Sequence, residues 1–135
     1  MPLARALFPA DPRSFPGKRA VRILLRTLHL VGTAGMGGGH LYHAPREAWM
    51  PYLVLTVASG AVLVLIDVWS SGIWLIQLRG VAILVKLVGL WVVHLRPEWA
   101  GAGLLVAVVI SGLIAHAPGD VRYWSVVHRR RVDAL

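Results

Sequence analysis

The chain has 135 residues, 57% of them hydrophobic, with a mean hydropathy of +0.67, a formal net charge of +8 and no cysteine. That apolar fraction exceeds what a soluble domain of this length covers with its own polar surface, so the sequence reads as an integral membrane protein. Without cysteine, disulfides, thiolate-bound zinc, iron–sulfur clusters and covalently attached c-type haem are excluded, and any metal chemistry falls to histidine, carboxylate or methionine.

The first 20 residues, MPLARALFPADPRSFPGKRA, hold prolines and several basic residues but no uninterrupted apolar core or small-residue cleavage site. They read as a basic cytoplasmic segment rather than a cleaved signal. Four apolar runs follow, at about 21–43, 49–69, 73–95 and 99–117. Each approaches the 20 or so residues that cross roughly 30 Å of hydrocarbon. Short connections make neighbouring spans antiparallel, so the expected fold class is an all-α integral membrane four-helix bundle over 21–117.

Lysine and arginine set the orientation. Arg5, Arg13, Lys18, Arg19, Arg22, Arg79, Arg122, Arg129, Arg130 and Arg131 fall on one side, while the other two loops carry Arg46 and Arg96. Both termini are therefore expected in the cytoplasm, with 118–135 as a basic tail, in a bacterial-type inner membrane. Lipid headgroups account for this positive charge better than nucleic acid, which is not an expected partner.

The first run carries the sequence's most unusual stretch, HLVGTAGMGGGHLYH, from His29 to His43. His29 and His40 are 11 residues apart, about 20° from three full helical turns, so they share a face and are separated by roughly 16.5 Å. Gly32, Gly35 and Gly39 occupy neighbouring positions on that face. Glycine there admits either a second helix at close range or a broad, flat ligand.

A histidine inside a span is costly and ordinarily faces a partner in the bundle interior. By depth, His40 pairs with His94 near the end of the third span, and both could reach one object. Two neutral imidazoles with glycines making room suit the axial positions of a b-type haem, present once or twice, with Gly35 and Gly39 admitting the ring and Arg26 or Lys86 pairing with propionates. Zinc or copper also accept imidazole. His43 and His116 are alternative ligands, but each opens a His-Ala-Pro sequence at a helix end, where histidine complements the helix dipole and proline stops the helix. Lys86, in the middle of the third span, wants an anionic partner, and Asp67 is the acidic side chain expected on its half of the bundle.

The run HLVGTAGMGGG together with ILVKLVGLWVVHL in the third span resembles the core shared by copper-resistance CopD proteins and HemJ-type protoporphyrinogen oxidases. His29, Gly38, Gly39 and Lys86 match its motifs, over roughly Arg26–Val93. The resemblance implies a haem b in a four-helix membrane bundle with His29 as an axial ligand. Three functions follow as expectations. The first is a small b-type cytochrome passing electrons between quinol, or a redox partner protein, and a further acceptor. The second is a cofactor-free subunit packing into a larger membrane complex, and the third is HemJ-like oxidation of protoporphyrinogen or CopD-like metal handling.

Overall fold

The computed structural model describes residues 7–9 and 11–132, and for residues 93, 94 and 97 the backbone alone. The chain is all-α: α1 is Lys18–Leu41, α2 Arg46–Ser70, α3 Leu78–His94, α4 Ala100–His116 and the short α5 Gly119–Arg122, followed by a two-residue ribbon of β1 Trp124–Ser125 and β2 Arg130–Arg131. It forms two compact units, one of residues 14–67 and the other from residue 68 onward together with the N-terminal segment up to residue 13.

The first unit is an antiparallel hairpin with a regular seam. Arg22 meets Asp67, His29 meets Ser59 and Gly60, Gly32 meets Thr56, Gly35 meets Tyr52, and Gly39 and His40 meet Trp49. Through Arg22, His29, Gly32, buried Met36 and Gly39 the α1 seam advances in steps of seven, three, four and three, the spacing of left-handed coiled-coil packing, with Gly35 and His40 flanking it. The hairpin turns at Tyr42–Pro45, where the Ala44 amide donates to the Gly39 carbonyl at 2.9 Å and His43 adopts φ 51°. This is the six-to-one bond of a Schellman ending, with histidine at the left-handed position that glycine usually takes.

Outside the seam the hairpin is apolar and exposed: Leu30, Val54, Val57 and Leu65 all point away from the partner helix. Among the described residues α2 is the one helix long and apolar enough to cross a membrane, with a mean hydropathy of 2.1 in its best window and 11% of that window buried. Its 25 residues reach about 37 Å.

In the second unit α3 and α4 pack together, burying Leu104 and Ala107 between exposed Val85, Val88, Val109 and Leu113. The third apolar run, expected as one helix from residue 73, is divided. Gly72–Ile76 forms a 3₁₀ turn, Gln77 is extended at φ −80° and ψ 148°, and α3 starts at Leu78. The division seats a small core. Gly80 lets the Trp74 carbonyl close over the first turn of α3, where a Cβ would collide with it. Ile73, Trp74 and Val132 are each 2% exposed.

The C-terminal ribbon completes that core. Gln77 pairs with Ser125 as a β-bridge, its side-chain amide donates to the Val132 carbonyl at 2.7 Å, and the Val126 amide donates to the Ile76 carbonyl at 3.0 Å. Buried Gln77 thus joins two segments 55 residues apart, as a polar group without water must. Arg13 and Ser70 add a reciprocal backbone and side-chain pair at the end of α2.

Candidate functional site

His29, Gly32, Gly35, Gly39 and His40 all face α2. The space that glycine leaves is filled by the hairpin itself. A Cβ on Gly32 would lie 2.8 Å from the Thr56 amide nitrogen and 2.9 Å from the Tyr52 carbonyl, one on Gly35 would strike the Tyr52 ring, and one on Gly39 would lie 2.7 Å from Cγ of Trp49. These glycines let two backbones approach. A macrocycle laid against Gly35 and Gly39 would have to displace Tyr52 and Trp49, so the residues present do not form a ring slot there.

The two imidazoles share an anchoring pattern. His29 Nδ1 is 2.9 Å from the Thr56 carbonyl oxygen and 3.4 Å from Ser59 Oγ, and His40 Nδ1 is 3.0 Å from the Met36 carbonyl oxygen. A carbonyl only accepts, so Nδ1 carries the hydrogen and, in the neutral ring, the lone pair is on Nε2. The His40 ring also leans on Trp49, with centroids 4.6 Å apart and planes at 46°.

The remaining candidate residues are dispersed. His94 ends α3, and its side chain lies outside the described residues. His43 is exposed in the hairpin turn and His116 is exposed at the end of α4. Lys86 Nζ donates to Ser111 Oγ at 3.0 Å, and Ser111 in turn donates to the Ala107 carbonyl at 2.7 Å. Asp67, the carboxylate expected for Lys86, is instead held by Arg22 through two contacts of 2.6 and 3.3 Å, with both side chains mostly buried. The forked guanidinium matches a carboxylate in a way that an ammonium does not.

Arg26 is exposed at the rim of an open groove at the start of α1, lined also by Ser14, Lys18, Arg19, Arg22 and Ile23. Lys18 has its pKa lowered there, first by burial and then by the positive charge of Arg22, with Asp67 opposing.

One cluster has no counterpart in the sequence reading. Arg79, Arg122 and Arg131 all lie against the ring of Tyr123, with guanidinium carbons 4.7, 5.8 and 5.7 Å from its centroid. The mixture of aromatic and basic residues in DVRYW is visible in the sequence, but the approach of Arg79 depends on the ribbon's docking at Gln77. Comparison of the chain with protein-family models, with curated proteins and with solved structures finds no match.

Proposed function

We propose that this chain is a multi-pass integral membrane protein, with both termini cytoplasmic, that serves as a helical subunit of a larger membrane assembly. The observation carrying this reading is its inverted polarity. Glycine, serine and histidine line the α1–α2 seam, while Leu30, Val54, Val57 and Leu65 face outward, an arrangement that water penalises and hydrocarbon accepts. The seam is formed within one chain, which supports assigning the glycines to helix packing. Helices α3 and α4, at 17 residues each, reach only about 25 Å, so in this reading the adjoining 3₁₀ turns, Gly72–Ile76 before α3 and Pro97–Trp99 before α4, lie at the membrane surfaces.

Resistance to alkaline carbonate extraction, together with flotation on reconstituted vesicles, tests membrane embedding. Release into the soluble fraction would overturn it. Migration of the gently solubilised protein well above the mass of a single chain and its micelle supports the subunit reading.

The anchored imidazoles favour a second reading, a haem-binding electron-transfer protein. Fixing Nδ1 on a carbonyl is how proteins orient a ligating histidine, leaving Nε2 to meet the metal. His40 and His94, or His29 by resemblance to CopD and HemJ proteins, would hold the iron, which would supply one-electron redox chemistry. A dithionite-reduced minus oxidised spectrum separates the readings. A sharp reduced α-band that disappears in His40→Ala supports haem, and a colourless preparation that takes up no added haemin returns both histidines to the seam.

A further inference from the structure

Lys86 is the ninth of the 17 residues of α3, roughly 12 Å along the helix from either end. Its ammonium has three hydrogens to donate, and among the described residues its partner is one neutral oxygen, Ser111 Oγ at 3.0 Å. Ser111 stands five residues before the end of α4, roughly 7.5 Å inside it, so the lysine stem crosses to the neighbouring helix and stops short of the helix ends. The chain supplies a counter-charge to Arg22, whose guanidinium meets the Asp67 carboxylate at 2.6 Å. On the unit that contains Lys86, the carboxylates of Glu98 and Asp120 face Arg96 and Arg131 instead. A positive charge within a span ordinarily pairs with a negative one, because hydrocarbon solvates neither.

Lys86 lies at the edge of the contact between α3 and α4. Beside it along α3 runs an exposed strip of Val85, Gly89 and Val92, and a Cβ added to Gly89 would meet nothing within 4 Å. A second helix can therefore come close to α3 next to the ammonium. A second copy of this chain is a poor occupant. In a two-fold contact it would set Lys86 near Lys86, and its own Glu47 and Asp67 lie in the first and last turns of α2, with Glu98 in the turn before α4. We propose that the strip of Val85, Gly89 and Val92 docks a transmembrane helix of a different chain, one that carries a glutamate or aspartate within its span and pairs it with Lys86. This contact rests on the membrane reading above, since in water the exposed side of the ammonium would be hydrated.

The probe is a synthetic polyleucine transmembrane peptide with one glutamate five residues inside its apolar run, the depth of Ser111 in α4. Its twin has glutamine at that position. The labelled full chain is reconstituted with labelled peptide in vesicles of neutral phosphatidylcholine at neutral pH, and association is read by energy transfer. The glutamate peptide is expected to associate about tenfold more tightly than its twin. Lys86→Met and Lys86→Gln should remove that preference, and Lys86→Arg, which retains the charge, should keep it. Gly89→Leu fills the strip and leaves the charge in place, so it should weaken association of both peptides several-fold. If Lys86→Met alters the helical signal in circular dichroism, Lys86→Gln carries the comparison.

Equal association of the two peptides, or a preference that survives Lys86→Gln, overturns the contact. Loss of the preference on adding phosphatidylglycerol assigns the ammonium to a lipid headgroup and overturns it as well. Flotation of the labelled chain is scored separately. A chain that floats with the vesicles but shows no preference loses this contact and keeps the membrane reading, and a chain that does not float loses both.

Discussion

The hairpin of residues 14–67 and the small module where Gly72–Ile76 meets Trp124–Val132 differ in how far they cover their large apolar side chains. In the hairpin, Gly32, Gly39 and Ser59 are inside and Leu30, Val57 and Leu65 are outside. In the module, Ile73, Trp74 and Val132 are inside with the hydrogen-bonded Gln77 and Ser125, and Arg129, Arg130 and Arg131 are outside with Trp124, Val126 and Val127. The module follows the rule of a protein in water, where large apolar groups are sequestered. In the membrane reading proposed above, the hairpin follows the rule of a helix pair whose surroundings are as apolar as its side chains, where close approach and a few polar contacts hold the helices together. On that reading one largely apolar chain contains two solvation regimes, and the distinction lies in which residues are covered.

The largest effect expected from breaking this contrast is in the module. Trp74→Ala removes the bulk of a core with little else in it and should cost about 3–5 kcal/mol. Faster tryptic cleavage at Arg129–Arg131 would report the loosened ribbon. Next is Val57→Asp, on a side chain that is 61% exposed. Facing hydrocarbon it should cost about 3 kcal/mol in a membrane-insertion assay, whereas facing water it should cost within about 0.5 kcal/mol. The second result would remove the two-regime interpretation.

Gly32→Leu should force the hairpin backbones apart and cost about 1–3 kcal/mol in thermal unfolding in micelles. Gly38→Ala, where a Cβ meets nothing within 4 Å, should be neutral or stabilise by up to about 1 kcal/mol. Equal effects of the two would argue against a packed seam. The smallest effect is expected from His43→Gly, which relieves the left-handed backbone at the turn and should stabilise by less than about 1 kcal/mol. The same variant leaving a haem spectrum unchanged would remove His43 from the ligand alternatives.

Much of the hairpin was legible in the sequence because helical periodicity determines which residues share a face. The 11-residue spacing of His29 and His40 places both toward α2, with the glycines between them. Periodicity does not say what the face meets, and the same pattern serves a macrocycle or a neighbouring helix. In this structure the face meets α2, with the rings of Tyr52 and Trp49 in the space above Gly35 and Gly39. The division of the third run was not legible, because GIWLIQLRG is apolar but for Gln77 and Arg79, and Gln77 becomes decisive only once Val132 and Ser125 reach it. Lys86 called for a carboxylate on electrostatic grounds, yet its hydrogen bond goes to Ser111, one residue in an apolar helix with no charge to advertise it. The arginine cluster was hidden for a related reason: Arg79 and Arg131 are distant in sequence, and their meeting is a property of the docked ribbon.

The hairpin contacts, from Arg22 with Asp67 at the open end to Gly39 with Trp49 beside the turn, are all made by residues before Val68. A ribosome has therefore released every participant in that seam when the first half of the chain has emerged. Insertion of the hairpin with its turn leading would leave the Arg22–Asp67 pair trailing on the side of synthesis, so neither charge needs to be carried across. The order in which the polypeptide is made is then also an order in which it can be assembled, with α1 and α2 already paired while α3 and α4 are still being translated.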